Sequence, residues 1–192
     1  MKTLDYSQYY WKNEKITLRL ATEADWEYHY PNHFNSHARF LLNSELELPP
    51  DIERDKTEWA EFVSPAAKHG RIVFVIENDK GNVVGSLNLN SIDERNGTFS
   101  VGVQIDIGER GKGYGVEATR MIGRYAFLER RLHKWNSAYV ESNEASAVLH
   151  KRLGFIIEGK RREVTYHDGR YWNDILCGLT MEEFLAVQAN RN

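Results

Sequence analysis

Residues 15–21 (KITLRLA) put Ile16, Leu18 and Leu20 on one face at a period of two, which predicts a strand. A helix is expected next. Thr22 and Asp25 form an approximate capping pair, and Trp26 and Tyr30 recur at helical spacing until Pro31 divides the stretch into two short helices. Pro49 and Pro50 precede a second helical stretch, residues 51–68, with Ile52, Trp59, Phe62 and Val63 inward and an acidic face outward. Two β-rich runs, RIVFVIEN and NVVGSLNLN, flank Asp79, Lys80 and Gly81, whose turn chemistry predicts a hairpin. A strand over residues 98–105 then leads into a cluster of glycines. From residue 115 to 131, Ala118, Met121, Ile122, Tyr125 and Leu128 form the stripe of a long helix. A strand over 135–141 and a helix over 143–153, ended by Gly154, come next. Ile156 and Ile157, and then residues 171–179, read as two closing strands around an Asp168-Gly169 turn, and residues 181–188 as a terminal helix.

This order of strand, helices, mixed sheet, helix, strand, helix and hairpin places the chain in the α+β class. With no repeat and no Pro/Gly/Ser-rich linker, residues 1–192 are expected to form one continuous domain with a core over about 15–184. The chain of 192 residues is 41% hydrophobic and 28% charged, which suits a globular domain able to bury a core of its own. Its 25 Lys+Arg against 28 Asp+Glu, with no basic block, lack the electrostatic footprint of a nucleic-acid binder. No apolar run is long enough to span a bilayer and the first residues lack a signal-peptide core, so the expected location is cytoplasmic and no membrane partner is expected. The single cysteine, Cys177, excludes an internal disulfide and a multi-cysteine zinc site, and it reads as a buried apolar filler. His29, His33 and His37 recur every four residues, but Pro31 interrupts them and no carboxylate or thiol accompanies them. They read as surface histidines, and no metal is expected.

The chemistry concentrates in residues 105–115, IDIGERGKGYG, where a strand hands over to a helix. A Walker loop needs a Ser or Thr after its lysine, and Lys112 is followed by Gly113. A dinucleotide fingerprint needs G-x-G-x-x-G, whereas Gly111, Gly113 and Gly115 run as G-x-G-x-G. A third reading is an anion nest. Glycines let backbone N–H groups turn inward, and the following helix adds the positive end of its dipole, so the loop suits a pyrophosphate flanked by Arg110 and Lys112. A tight glycine-rich turn with no ligand is the bland account of the same residues.

Here the sequence resembles the GNAT superfamily of acyl-CoA-dependent N-acyltransferases. Its first motif, [QR]-x-x-G-x-[GA], reads Arg110-Gly111-Lys112-Gly113-Tyr114-Gly115, and residues 143–159, NEASAVLHKRLGFIIEG, are similar to the N-x-x-S…K-x-L-G-F…E-G signature of its RimJ/RimL-like branch. The opening ITLRLATEADW is similar to that branch as well, so the resemblance spans about residues 16–184. It implies a GNAT-type fold, with a single central mixed, mostly antiparallel sheet splayed between the strand before the glycine loop and the next strand, and helices on both faces. It implies acetyl-CoA as the cofactor. The pantetheine arm would bond to backbone at Val103, Ile105 and Ile107, and the pyrophosphate would sit on Arg110, Gly111, Lys112, Gly113, Tyr114 and Gly115. Asn143, Ser146 and Lys151 would be further cofactor contacts.

Acetyl transfer to an amine needs a neutral nucleophile, a donor to the tetrahedral oxyanion and an acid for the departing thiolate. The resemblance implies the backbone N–H of Val103 as oxyanion donor. Many family members carry a Glu on the strand before the first motif, where this chain has Ser100, so Glu141 at the next strand's end is the expected base, acting through water. Where many members have a tyrosine as acid this chain has His150, and by position and hydroxyl Ser146 is the favoured acid with His150 a second candidate. Cys177 has no neighbouring base, so direct attack in a ternary complex is expected rather than a covalent relay.

The leading acceptor by resemblance is a protein N-terminal α-amine, with a polyamine or other small amine as runner-up and a non-catalytic acyl-CoA-binding regulator as the reading from another class. Glu45, Glu47, Asp51, Glu53, Asp55, Glu58 and Glu61 against Arg54 and Lys56 would steer a cation if they faced the acceptor cleft, and otherwise form a solvated helix face. Tyr28, Tyr30, Phe34 and Trp59 would add cation-π contacts or fill a core. A homodimer is left open by the sequence.

Overall fold

The computed structural model describes residues 8–64 and 70–189. Its centre is a seven-stranded sheet in the order β1-β2-β3-β4-β5-β7-β6, built from β1 (Ile16–Leu20), β2 (Ile72–Asn78), β3 (Val83–Asp93), β4 (Thr98–Ile105), β5 (Lys134–Val140), β6 (Ile156–His167) and β7 (Arg170–Thr180). Every neighbouring pair is antiparallel except β4 with β5. Six α-helices accompany it: α1 (Trp26–His29), α2 (Ser36–Asn43), α3 (Ile52–Val63), α4 (Tyr114–Arg124), α5 (Glu144–Leu153) and α6 (Met181–Ala189). The expected GNAT-type α+β architecture is therefore the observed one. The helix expected over 51–68 is observed as Ile52–Val63, and residues 65–68 of that expectation lie outside the described residues. No helix among the described residues is long and apolar enough to cross a membrane.

The run Val73, Phe74, Val75 and Ile76 is buried throughout because β2 is covered on both faces. On one face Phe74, Ile76, Leu87, Leu89, Phe99, Trp135 and Leu179 meet Ala118, Met121 and Ile122 of α4 and Phe184 of α6. On the other, Trp59 of α3 is buried and its indole N–H donates to the carbonyl of Thr22 at 3.0 Å.

Where α4 ends, the long helix expected to residue 131 widens into a π-turn over Tyr125–Glu129. The extra residue rotates the stripe, so that Phe127 is buried against Phe99 at 5.1 Å and Phe184 at 5.2 Å. Leu128, expected inward, is 43% exposed. The second difference is β6, expected only at Ile156 and Ile157 but twelve residues long. Its KRRE segment is solvent-facing, so no apolar alternation marks it, and only backbone pairing with β7 and the buried Thr165 show it to be a strand.

The predicted Thr22–Asp25 pair is realised differently from a simple cap. The Thr22 N–H donates to the Asp25 carboxylate at 2.7 Å, and Arg19 grips the same carboxylate through two nitrogens at 2.8 and 2.6 Å. Burial alone would push the Asp25 pKa up, but the bonds from Arg19 and Thr22 outweigh it and hold the carboxyl below its ordinary value. A depressed folded-state pKa contributes stability above the unfolded value of about 3.9 and loses it as pH falls. Asp25→Asn is therefore expected to lose about 1–3 kcal/mol at pH 7 by chemical denaturation. Its deficit against the parent should shrink as the pH is lowered below about 4.

Candidate functional site

β4 and β5 run parallel for two rungs only, Thr98 with Lys134 and Phe99 with Trp135, and then diverge. Just past the last rung the Ser100 hydroxyl donates to the carbonyl of Asn136 at 2.9 Å and ties the base of the fork. Beyond it, no strand among the described residues pairs with the β5-facing edge of β4 or the β4-facing edge of β5. The gap opens into a cleft of about 670 Å³, walled by residues 101–105 on one side, Ser137, Ala138 and Tyr139 on the other, and the first turns of α4 and α5 above. Ala38, Leu41 and Leu42 of α2 close one end.

Gly111 and Gly113 at the cleft's far end both have left-handed backbones, with φ of 78° and 89°, and Gly113 caps the N-terminus of α4. A β-carbon at Gly113 would find only the Lys15 ammonium, 3.5 Å away. The first N–H groups of α4 have no partner within the helix, and its dipole adds positive charge there. This cradle, with a dry slot of free strand edges leading from it, fits a diphosphate attached to a long amide-bearing arm. Lys15, ahead of β1, went unrecognised in the sequence because ninety-seven residues separate it from Lys112 and only the fold brings it to the loop. Lys112 itself is committed to Glu109 at 2.9 Å and Arg110 donates to the carbonyl of Ile105 at 3.1 Å.

The motif N-x-x-S proves to be a helix start. Asn143 is the N-cap of α5, its Oδ1 accepting from the Ser146 N–H at 3.0 Å while its Nδ2 donates to the carbonyl of Leu41 at 3.3 Å. Asn143 therefore anchors α5 to α2 with both ends of its amide and lines the cleft only with what remains. Ser146 and His150, one turn apart on α5, also line it. The His150 ring is wedged between Tyr139 at 5.1 Å and Phe155 at 4.7 Å, and burial pushes its pKa down. It is neutral at pH 7 and carries no proton to spare for a thiolate.

Among the expected site residues, Val103, Ile105, Arg110, Gly111, Gly113, Tyr114, Gly115, Asn143, Ser146 and His150 line this one cleft. Ile107, Lys112 and Lys151 do not. Ile107 is exposed on a 3₁₀ turn, and Lys151 is exposed on α5. Glu141 is also corrected. Its carboxylate lies outside the cleft wall, exposed, and is taken up by Lys160 and Asn173, each at 2.6 Å, which hold its pKa below the ordinary value. A carboxylate stabilised as an anion and turned away from the fork is a poor base. Cys177 is buried, and burial pushes its thiol up to about 11, so it is protonated at neutral pH.

The helical region over the cleft corrects two further expectations. His29 stacks on Trp59 at 4.4 Å and His33 sits between Glu47 at 3.2 Å and Asp55 at 2.7 Å, so these two are packing elements and not surface histidines. The acidic segment is largely spent internally. Glu47 pairs with Arg39, Asp55 accepts from the Trp26 indole, Asp51 caps α3, and Glu53 and Glu58 pair with Lys56 and Arg54.

Comparison with known proteins agrees with this geometry. Residues 15–156 match the model of the acetyltransferase (GNAT) domain. The chain is 30% identical over 175 residues to the SPbeta prophage-derived uncharacterized N-acetyltransferase YokL of Bacillus subtilis, a match covering 91% of this chain and 95% of that one. It is 30% identical over 104 residues to the putative ribosomal N-acetyltransferase YdaF of the same organism, covering 54% and 57%. Among solved structures, spermidine N-acetyltransferase from Vibrio cholerae in complex with CoA and spermine superposes with a TM-score of 0.79 at 21% identity, over 90% of this chain and 99% of that one.

Gly113→Val is expected to weaken acetyl-CoA affinity by more than about tenfold in calorimetry, because a branched side chain both strains a left-handed backbone and blocks its approach to phosphate. Glu141→Gln, by contrast, should leave kcat within about twofold of the parent, since surface pairs contribute little.

Proposed function

The chain belongs to the acetyltransferase (GNAT) domain family and is an acetyl-CoA-dependent N-acetyltransferase; from that premise we propose that it acetylates a protein N-terminal α-amine, as a member of the RimJ/RimL-like branch. The observation that carries this reading is the lack of a base at the fork. Among the described residues the only carboxylates lining the cleft are Glu109, paired with Lys112 at the phosphate end, and Glu144, exposed on the first turn of α5. An alkyl amine near pKa 10.4 costs roughly 4–5 kcal/mol to deprotonate at pH 7, whereas an α-amine near 7.7 costs only about 1. A site without a strong base suits the weaker amine, of which roughly a sixth is already neutral at pH 7.

Attack then follows from placement. The acceptor nitrogen meets the acyl carbon at the fork, the backbone N–H of Val103 faces the developing oxyanion, and the Ser146 hydroxyl donates to the leaving sulfur. The backbone of Val103 and Ile105 and the loop residues 110–115, with Lys15, hold the donor molecule. In sum, the proton lost by the amine ends on the thiol.

A polyamine is the second reading. The match to Escherichia coli spermidine N(1)-acetyltransferase, 24% identical over 60% of this chain and 61% of that one, favours it. Against it stands the internal pairing of the acidic segment, in which Glu47, Glu53, Asp55 and Glu58 all have side-chain partners.

Thiol release measured with a panel of peptides and amines tests these alternatives. Peptides with a free α-amine are expected to turn over, with kcat/KM rising with pH and levelling above about 7.7 as the acceptor deprotonates. Turnover of spermidine alone would replace the peptide reading. Binding of acetyl-CoA with no thiol release for any acceptor would make the chain a regulator.

A further inference from the structure

Three side chains from two elements form a hydrogen-bonded series under the cleft: Ser137 on β5, and His150 and Ser146 on α5. The His150 Nδ1 lies 2.7 Å from the Ser146 carbonyl oxygen and 3.2 Å from the Ser146 Oγ, and its Nε2 lies 2.7 Å from the Ser137 Oγ. A carbonyl oxygen offers lone pairs and no hydrogen, so the contact with Nδ1 requires the proton on that nitrogen. The neutral ring carries one proton, which leaves Nε2 bare and makes it the acceptor of the Ser137 hydroxyl. The Ser146 Oγ then faces an N–H and can only accept from it. Its own hydrogen is turned away from the ring, toward the cleft that Ser146 lines.

We propose that His150 is a positioning residue and Ser137 its anchor. Together they fix the tautomer that makes Ser146 present its hydroxyl hydrogen to the leaving sulfur. The inference rests on the reading of Ser146 as thiolate donor and says how that donor is aimed. As the bond between amine nitrogen and acyl carbon forms, the carbon–sulfur bond breaks with its electron pair going to sulfur. The sulfur receives the Ser146 hydrogen bond, the amine's surplus proton passes to solvent, and solvent protonates the thiolate. His150 and Ser146 finish as they began, so neither needs a shifted charge state. Ser146 stands in the first turn of α5, so without the imidazole no helix-internal contact would fix the rotation of its hydroxyl.

The test is a mutant cycle with a spectroscopic check. Ser146→Ala should lower kcat by about 10²-fold, the cost of one preorganised donor. His150→Leu should lower kcat by about tenfold while acetyl-CoA affinity by calorimetry stays within about twofold. The double variant should be no slower than Ser146→Ala alone, because His150 acts only through that hydroxyl. His150→Asn keeps a side-chain N–H near the Nδ1 position and should recover most of the loss. In the parent protein, nitrogen NMR of the His150 ring should place the proton on Nδ1, a measurement that needs no variant to fold. Multiplicative losses in the double variant, an Asn variant as slow as Leu, or a proton on Nε2 would overturn the positioning role. An unchanged kcat in Ser146→Ala would instead overturn the donor reading, and the inference with it.

Discussion

The parallel ladder between β4 and β5 stops after two rungs, and the rest of the molecule is arranged around that interruption. Backbone groups withdrawn from water without partners are costly, on the order of a lost hydrogen bond each. A sheet that opens a gap in its own middle therefore needs both edges to stay solvated or to be taken up by a ligand. Here the gap stays open because its closed end is pinned. Phe99 and Trp135, the last paired residues, are buried 5.4 Å apart beneath Phe127 and Phe155, and Ser100 bridges to β5 directly above them. The same strands that make the core end in the edges that wall the cleft.

Two helix N-termini converge on this gap by different local means. α4 starts from a left-handed glycine, which removes side-chain cover from its first N–H groups and leaves them to an anion. α5 starts from an asparagine, which satisfies one N–H internally and fastens the helix to α2. One terminus is thus kept open for a ligand and the other is closed for rigidity.

Charge in the layer of α1, α2 and α3 is mostly neutralised within the protein. Arg39 with Glu47, His33 between two carboxylates, and the Trp26 indole on Asp55 form a polar cluster that packs α1, α2 and α3 together. Carboxylates used in this way stabilise that helical layer.

Strand and helix order, the hairpin at residues 79–81 and the glycine loop were legible in the sequence, because periodicity and turn chemistry are local properties of adjacent residues. So was the family, since both motifs lie in short continuous stretches. The π-turn that exchanges Leu128 for Phe127 and the long polar β6 were not, because each is imposed by partners far away in the chain. The same holds for the pairing of Glu141 with Lys160 and Asn173, the arrival of Lys15 beside Gly113, and the contact of Ser137 with His150. A hydrogen bond depends on distance in space, and a residue's type and local spacing carry no record of which distant side chain the fold will bring within 3 Å.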